Sequence, residues 1–163
     1  MIDAQVRAVA THVLDAYRAR KWRIATAESC TGGLVAGALT EIAGSSDVVD
    51  RGFITYSNEA KAEMLGVPEA MLIEHGAVSR PVAEAMARGA LTRSSVDAAV
   101  AITGIAGPGG GSAGKPVGLV HFAAAARDGR LIHREKRYGD IGRSEVRRLS
   151  VLEALEMLLE LGR

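Results

Sequence analysis

The fold class follows from Trp22-Arg23-Ile24-Ala25-Thr26-Ala27-Glu28-Ser29-Cys30-Thr31-Gly32-Gly33, near the start of the chain. The residues up to Ala27 are typical of a short strand, and Thr31-Gly32-Gly33 interrupts it. Apolar residues then recur at helical spacing from Leu34 until Gly44. A strand, a tight turn of small residues and a helix therefore follow one another, as in the first unit of an α/β fold.

The rest of the chain alternates strands and helices in the same way. Further strands are predicted over residues 51–56, 97–103, 117–125 and 131–138, and helices over 3–20, 59–65, 82–93 and 143–161. We expect one domain over residues 1–163, of class α/β. Its predicted architecture is a three-layer α/β/α sandwich with a mixed, mainly parallel sheet of about five or six strands.

Composition and charge exclude several classes of protein. The 20 basic and 19 acidic side chains leave a net charge of +1, which gives no support for a nucleic-acid or membrane-surface partner. The first residues do not resemble a signal peptide, and no apolar stretch approaches the roughly 20 residues that span a bilayer. Cys30 is the single cysteine, and the 4 histidines show no ligand spacing. We therefore expect a cytoplasmic protein with no metal and no cofactor.

Three loops of unusual composition begin where predicted strands end. They cover residues 28–33, 56–61 and 103–116. Because ligands of open α/β sheets bind beyond the carboxyl ends of the strands, these loops are expected to form one site.

The first loop places Ser29 and Cys30 just before a helix. Helix N-terminal amides favour negative charge, so they could stabilise an alkoxide or a bound anion. Gly32 and Gly33 would allow a ligand to approach the backbone closely. A simpler alternative is that Ser29 or Thr31 only caps the helix.

The second loop carries Tyr56, Asn58 and Lys61. A serine nucleophile needs a base, and a lysine can serve when burial or a nearby cation lowers its pKa. Tyr56 could orient such a lysine or relay its proton. The alternative for Lys61 is a solvated lysine on a helix.

The third loop, residues 104–116, contains six glycines and two prolines. Residues 109–115 fit the Gly-x4-Gly-Lys pattern of a phosphate loop, but Pro116 occupies the Ser/Thr position and a strand is predicted next. We therefore reject a phosphate loop. Thr103 and Gly104 could supply a hydroxyl and amides to a substrate, and the alternative is a mobile loop.

Two arginines stand one helical turn apart at the start of the last helix. Arg143 and Arg147 could hold a phosphate between them. Ion pairing with Glu145 or neighbouring carboxylates is the ordinary alternative.

Motifs along nearly the whole chain resemble those of the CinA C-terminal-domain family. They recur in the family's order at residues 26–33, 52–61, 75–79, 103–112 and 115–118, and at Arg143 with Val146-Arg147. One departure is Gly139-Asp140-Ile141-Gly142-Arg143, which is two residues longer than the family's Gly-Asp-Arg.

The resemblance implies a three-layer α/β/α fold and the stand-alone form of the family, a nicotinamide-nucleotide amidohydrolase. Such enzymes hydrolyse the carboxamide of nicotinamide mononucleotide to nicotinate mononucleotide and ammonia, in pyridine-nucleotide recycling. It also implies that Ser29 is the nucleophile and that Tyr56 and Lys61 complete the catalytic site. The substrate-binding residues expected beside them are Cys30, Thr31, Gly32, Gly33, Asn58, Thr103, Gly104 and Arg143.

Alternatives stay open at this point. The chain could be a nucleotide-binding or regulatory module without turnover, or an amidase for another small carboxamide. Cys30 is a competing nucleophile, although no histidine is linked to it in a motif. The small-molecule nucleotide is the expected partner, and the hairpin over residues 117–138 could support a homodimer or higher homo-oligomer.

Overall fold

The computed structural model describes residues 2–163 as one five-stranded sheet with helices on both faces. The elements are α1 (Ala4–Arg20), β1 (Ile24–Glu28), α2 (Leu34–Thr40), β2 (Val49–Ile54), α3 (Asn58–Leu65), α4 (Glu69–His75), α5 (Arg80–Thr92), β3 (Ala98–Gly104), β4 (Leu119–Ala126), β5 (Leu131–Arg137) and α6 (Arg143–Gly162), with a 3-10 turn at Ser45–Asp47.

The strand order is β2-β1-β3-β4-β5. β1 pairs in parallel with β2 and β3, whereas β4 is antiparallel to both β3 and β5. Within residues 2–163, β4 is thus the reversed strand of a sheet whose other four strands run the same way. The predicted mixed sheet and α/β class are confirmed.

The helices form two layers that cover opposite faces of the sheet. One apolar cluster joins α1, α2 and α6 to one face, and a second joins α3, α4 and α5 to the other. All residues of β1 and β4 are buried, because both faces of the sheet are covered. The predicted three-layer sandwich is therefore confirmed.

Capping residues set the boundaries of α3 and α5. The Ser79 side chain accepts a hydrogen bond from the Val82 amide at the start of α5, and Gly66 ends α3 in the left-handed conformation. The Ser57 side chain likewise accepts a hydrogen bond from the Ala60 amide, and α3 begins at the next residue.

Two elements end earlier than predicted, since α2 ends at Thr40 instead of near residue 44, and β2 runs Val49–Ile54 instead of over residues 51–56. The Thr55 amide still donates to the Glu28 carbonyl at 2.8 Å, but the Ser57 cap then turns the chain into α3. Tyr56 therefore lies in the loop beside the end of β1. The third loop leads into the strand β4, as predicted, whereas a phosphate loop leads into a helix. In the described part of the chain, no helix has the length and apolar character needed to cross a membrane.

Candidate active site

A cavity of about 270 Å³ lies where β1, β2 and β3 end. β1 is central there, because Glu28 is in register with Ile54 of β2 and with Ile102 of β3. All three predicted loops contribute to the lining, together with the α4–α5 connection and the start of α6. The lining residues are Ser29, Cys30, Tyr56, Asn58, Lys61, Ala77, Val78, Thr103, Gly104, Ile105, Ala106, Gly107, Gly109, Gly110 and Arg143.

Ser29 and Lys61 face each other in this cavity. The Lys61 Nζ lies 3.0 Å from the Ser29 Oγ and donates a hydrogen bond of 2.7 Å to the Thr55 carbonyl. Lys61 is only 1% exposed, and this burial lowers its pKa below the usual lysine range. A neutral lysine at hydrogen-bond distance from a serine hydroxyl can accept its proton.

Cys30 lines the same cavity but is poorly suited to act as the nucleophile. Its burial, reinforced by the negative charge of Glu28, raises the pKa of the thiol to about 12. The thiol is therefore protonated at neutral pH, and a protonated thiol is a weak nucleophile.

Glu28 is a buried carboxylate that sequence reasoning missed. It accepts hydrogen bonds from the hydroxyls of Thr26 (3.0 Å) and Thr31 (2.7 Å), and from the amides of Val35 (2.9 Å) and Ala36 (3.1 Å). The opening amides of α2 thus bind a carboxylate of the protein itself, contrary to the expectation that they face a substrate anion. The available signal was an acidic residue at the end of a buried strand, just before a helix.

Thr31, Gly32 and Gly33 were expected to bind substrate, but within residues 2–163 the cavity lining does not include them. The Thr31 hydroxyl is buried against Glu28, and the Gly32 amide donates to the Ser29 carbonyl at 3.0 Å. Gly33 takes the left-handed conformation, with φ of 98°, immediately before α2. These three residues shape the turn that carries Ser29.

Tyr56 and Arg143 both line the cavity and are joined by a hydrogen bond. The Tyr56 hydroxyl accepts a hydrogen bond of 2.9 Å from Arg143 Nη2, while Arg143 Nη1 donates to the Gly107 carbonyl at 2.8 Å. Arg143 therefore reaches the cavity despite the longer segment before α6. The hydrogen bonds of the Lys61 amine go to Ser29 and Thr55, and the catalytic role expected of Tyr56 stays a prediction.

The remaining predicted residues also line the cavity. The Thr103 hydroxyl donates to the Ala77 carbonyl at 2.8 Å, so it fixes the wall, whereas Asn58 lies at the start of α3. A Cβ at Gly104 would come within 2.7 Å of a Val120 methyl, which explains the glycine there. Ala77 and Val78 lie in a family motif but were not singled out from the sequence.

Arg147 has a different position from the one expected. Its Nε donates to the Cys30 carbonyl at 3.0 Å and its Nη2 to the Thr31 carbonyl at 3.3 Å. It therefore neither pairs with Arg143 around the cavity nor binds Glu145, whose partner is Arg148. Both interpretations of Arg147 from the sequence are corrected.

The histidines lie outside the cavity lining among the described residues. His121 Nδ1 and His133 Nε2 contact each other at 3.0 Å on β4 and β5. Over residues 2–163, no three His, Cys, Asp or Glu side chains form a cluster that could hold a metal ion.

Comparison with known proteins identifies related chains of the same architecture. The family model described as the CinA C-terminal domain matches residues 6–161. The nicotinamide-nucleotide amidohydrolase PncC of Escherichia coli (strain K12) is 52% identical over 159 residues, which cover 97% of this chain and 95% of that protein. A CinA-like protein of Synechococcus sp. (strain RCC307) is 54% identical over 151 residues, which cover 92% of this chain but 36% of that protein.

A solved structure agrees with the fold throughout. The competence/damage inducible protein CihA from Agrobacterium tumefaciens is 57% identical, and the superposition has a TM-score of 0.98. It covers 100% of this chain and 99% of the other. The chain belongs to the CinA C-terminal domain family.

Proposed function

We propose that this chain is a nicotinamide-nucleotide amidohydrolase that converts nicotinamide mononucleotide to nicotinate mononucleotide and ammonia, with Ser29 as its nucleophile. The activity is supported by 52% identity to the Escherichia coli protein of that name over nearly the full length of both chains. The observation that carries the mechanism is the buried Lys61 amine, 3.0 Å from the Ser29 hydroxyl inside a cavity.

The first half of the proposed reaction forms an acyl-enzyme. Neutral Lys61 accepts the Ser29 proton while Oγ forms a bond to the carboxamide carbon, and the C=O electron pair moves onto oxygen. The backbone amide of Cys30, the residue after the nucleophile, donates to this oxyanion. When the carbonyl re-forms, the C–N bond breaks, and the proton held by Lys61 is transferred to the nitrogen, so that ammonia leaves.

The second half releases the acid and restores the enzyme. Lys61, neutral again, removes a proton from water as the water oxygen attacks the acyl carbon. Ser29 Oγ then leaves with the proton from Lys61, and nicotinate mononucleotide is the product. Each step uses the same base at the same position, so the buried Ser29–Lys61 pair suffices for both halves.

Arg143 is the proposed phosphate-binding residue. Among the cavity-lining residues of the described chain, the basic side chains are Lys61 and Arg143, and Lys61 is held by Ser29 and Thr55. Arg143 uses two of its donors for Gly107 and Tyr56, which leaves others for a phosphate oxygen. Amides of the glycine loop, at Gly109 and Gly110, lie in the same wall and can add to this contact.

The experiment is a product assay on nicotinamide, nicotinamide riboside and nicotinamide mononucleotide. The proposal predicts ammonia and nicotinate mononucleotide in equal amounts, with the mononucleotide preferred. Tight nucleotide binding without ammonia would instead indicate a binding or regulatory module, and equal turnover of all three compounds would indicate a less specific amidase. Assembly into a homodimer or higher homo-oligomer stays a prediction; β5 lies at an edge of the sheet and is available for it.

A further inference from the structure

Arg147 lies outside the cavity lining of residues 2–163, yet its guanidinium contacts the turn that carries Ser29. Nε and Nη2 donate to the carbonyls of Cys30 and Thr31, at 3.0 and 3.3 Å. Two successive carbonyls are therefore held by one rigid, planar group. Neither partner is a carboxylate, so this arginine is directed at the backbone of the turn.

The contact to Thr31 links two peptide groups of the turn. In a trans peptide the C=O and the N–H point in opposite directions, so fixing the Thr31 carbonyl also fixes the Gly32 amide. That amide donates to the Ser29 carbonyl at 3.0 Å. The Ser29 carbonyl belongs to the same peptide group as the Cys30 amide, whose direction is thereby fixed as well.

We propose that Arg147 is a positioning residue that aligns the Cys30 amide, through the Thr31–Gly32 and Ser29–Cys30 peptide groups, with the oxyanion formed on the carboxamide. The inference rests on the proposed amidase function and on Ser29 as its nucleophile. Besides orienting the amide, the positive charge on the Thr31 carbonyl polarises the Gly32 amide and, through it, the next peptide group. Both effects stabilise the transition state more than the bound substrate, because the negative charge on the oxyanion develops only during the reaction. They therefore act on kcat more than on substrate binding.

Gly32 fits this arrangement. Its φ of 59° is in the left-handed region, which favours glycine, and a Cβ there would lie 3.5 Å from Arg147 Nη2. The turn thus adopts a conformation in which the Gly32 amide faces Ser29 while the preceding carbonyl faces the guanidinium.

The test compares Arg147→Met with Arg148→Met, the same substitution at the next position of α6. Arg148 binds Glu145 and Asp3 and has no hydrogen bond to the turn, so Arg148→Met controls for the loss of an arginine from this helix. For Arg147→Met we expect kcat on nicotinamide mononucleotide to fall about 10- to 100-fold with KM within about twofold, because transition-state donors are misaligned. Arg147→Lys, which can reach one carbonyl, should give an intermediate kcat, and Arg148→Met should match the parent protein.

A second readout does not depend on the substrate. A fluorophosphonate reacts with an activated serine and places its phosphonyl oxygen in the oxyanion position. The rate at which it labels Ser29, measured by mass spectrometry, should fall in Arg147→Met and not in Arg148→Met.

Unchanged kcat and labelling in Arg147→Met would overturn the inference. So would an increase in KM confined to the mononucleotide and absent with the riboside, because that result would make Arg147 a phosphate ligand. Absence of ammonia release by the parent protein would overturn the proposed amidase function instead, and the labelling rates would still decide the role of Arg147. A parent Ser29 that the probe does not label overturns the nucleophile and the inference together.

Discussion

The Nζ of Lys61 lies 3.0 Å from the Oγ of Ser29, although 32 residues separate them in the chain. Ser29 follows β1, which lies between β2 and β3, and Lys61 lies on α3, which the Ser57 cap begins just beyond β2. The parallel pairing of β1 with β2 brings these two strand ends together. The result is a serine with a buried amine as its neighbour.

The pH dependence of catalysis should report Lys61. Burial lowers its pKa from the ordinary 10.5, and only the neutral amine can accept the serine proton. We expect kcat/KM to rise with pH along a limb whose apparent pKa lies below 10.5, since kcat/KM reports the free enzyme. Steady-state rates between about pH 6 and about pH 10, from near the ordinary pKa of histidine to near that of lysine, measure this limb. Lys61→Met should lose this limb, whereas Lys136→Met, which removes a lysine on β5 that pairs with Glu153, should keep it. If Lys61→Met kept the same limb in its pH profile, the titration would belong to another group.

The stability of the protein should also depend on Lys61. In the range between its lowered pKa and 10.5, the unfolded chain binds more protons at this lysine than the folded protein does, so the unfolding free energy rises with pH. Lys61→Met removes the free-energy cost of burying this amine. We expect the variant to be more stable than the parent protein by about 1 kcal/mol at neutral pH, with a smaller difference near pH 10. Denaturant unfolding at the two pH values measures both quantities, and a destabilised variant at neutral pH would contradict the expectation.

Cys30 should be unreactive in the folded protein. Burial raises the pKa of its thiol to about 12, and the side chain is 5% exposed. A disulfide reagent at pH 8 should therefore label the folded protein at least about 100-fold more slowly than the unfolded chain. Cys30→Ala should keep amidase activity within about threefold of the parent protein, because its amide remains in place. Rapid labelling, or activity lost only in Cys30→Ala, would move the nucleophile to the cysteine.

Arg143 should distinguish substrates by their phosphate. Arg143→Met is expected to lower kcat/KM for nicotinamide mononucleotide about tenfold, the value of one charge-assisted phosphate contact, with little change for the riboside. Arg137→Met is the matched control, because Arg137 is an exposed arginine on β5 that binds Glu135. Equal losses on both substrates would show that Arg143 acts through Tyr56 and the glycine loop instead.

The sequence was sufficient for the fold because its patterns were unambiguous. The strand predicted over residues 97–103 corresponds to β3, and the hairpin predicted over residues 117–138 corresponds to β4 and β5. The end of β2 was harder to predict. Thr55 still hydrogen-bonds to Glu28, so the boundary depends on where Ser57 begins α3, which propensity alone does not specify.

For the site, the sequence identified the loops but not the partners of their side chains. Ser29, Lys61 and Arg143 were named, and the structure places all three in one cavity. Nothing in the sequence indicated what Glu28 and Arg147 bind, for a common reason. Glu28 binds opening amides of α2 and Arg147 binds carbonyls of the Ser29 turn, and contacts to backbone groups leave no residue-type pattern in the sequence. Local motifs also gave no sign that Tyr56 bonds to Arg143, 87 residues further along the chain.

The central claim is that Ser29 attacks the carboxamide with Lys61 as its base, and ammonia release from saturating nicotinamide mononucleotide by Ser29→Ala tests it most directly. With the hydroxyl removed and the fold verified by an unchanged unfolding midpoint, we expect the rate to fall by about a thousandfold or more. Ammonia release by Ser29→Ala at the rate of the parent protein would contradict the account.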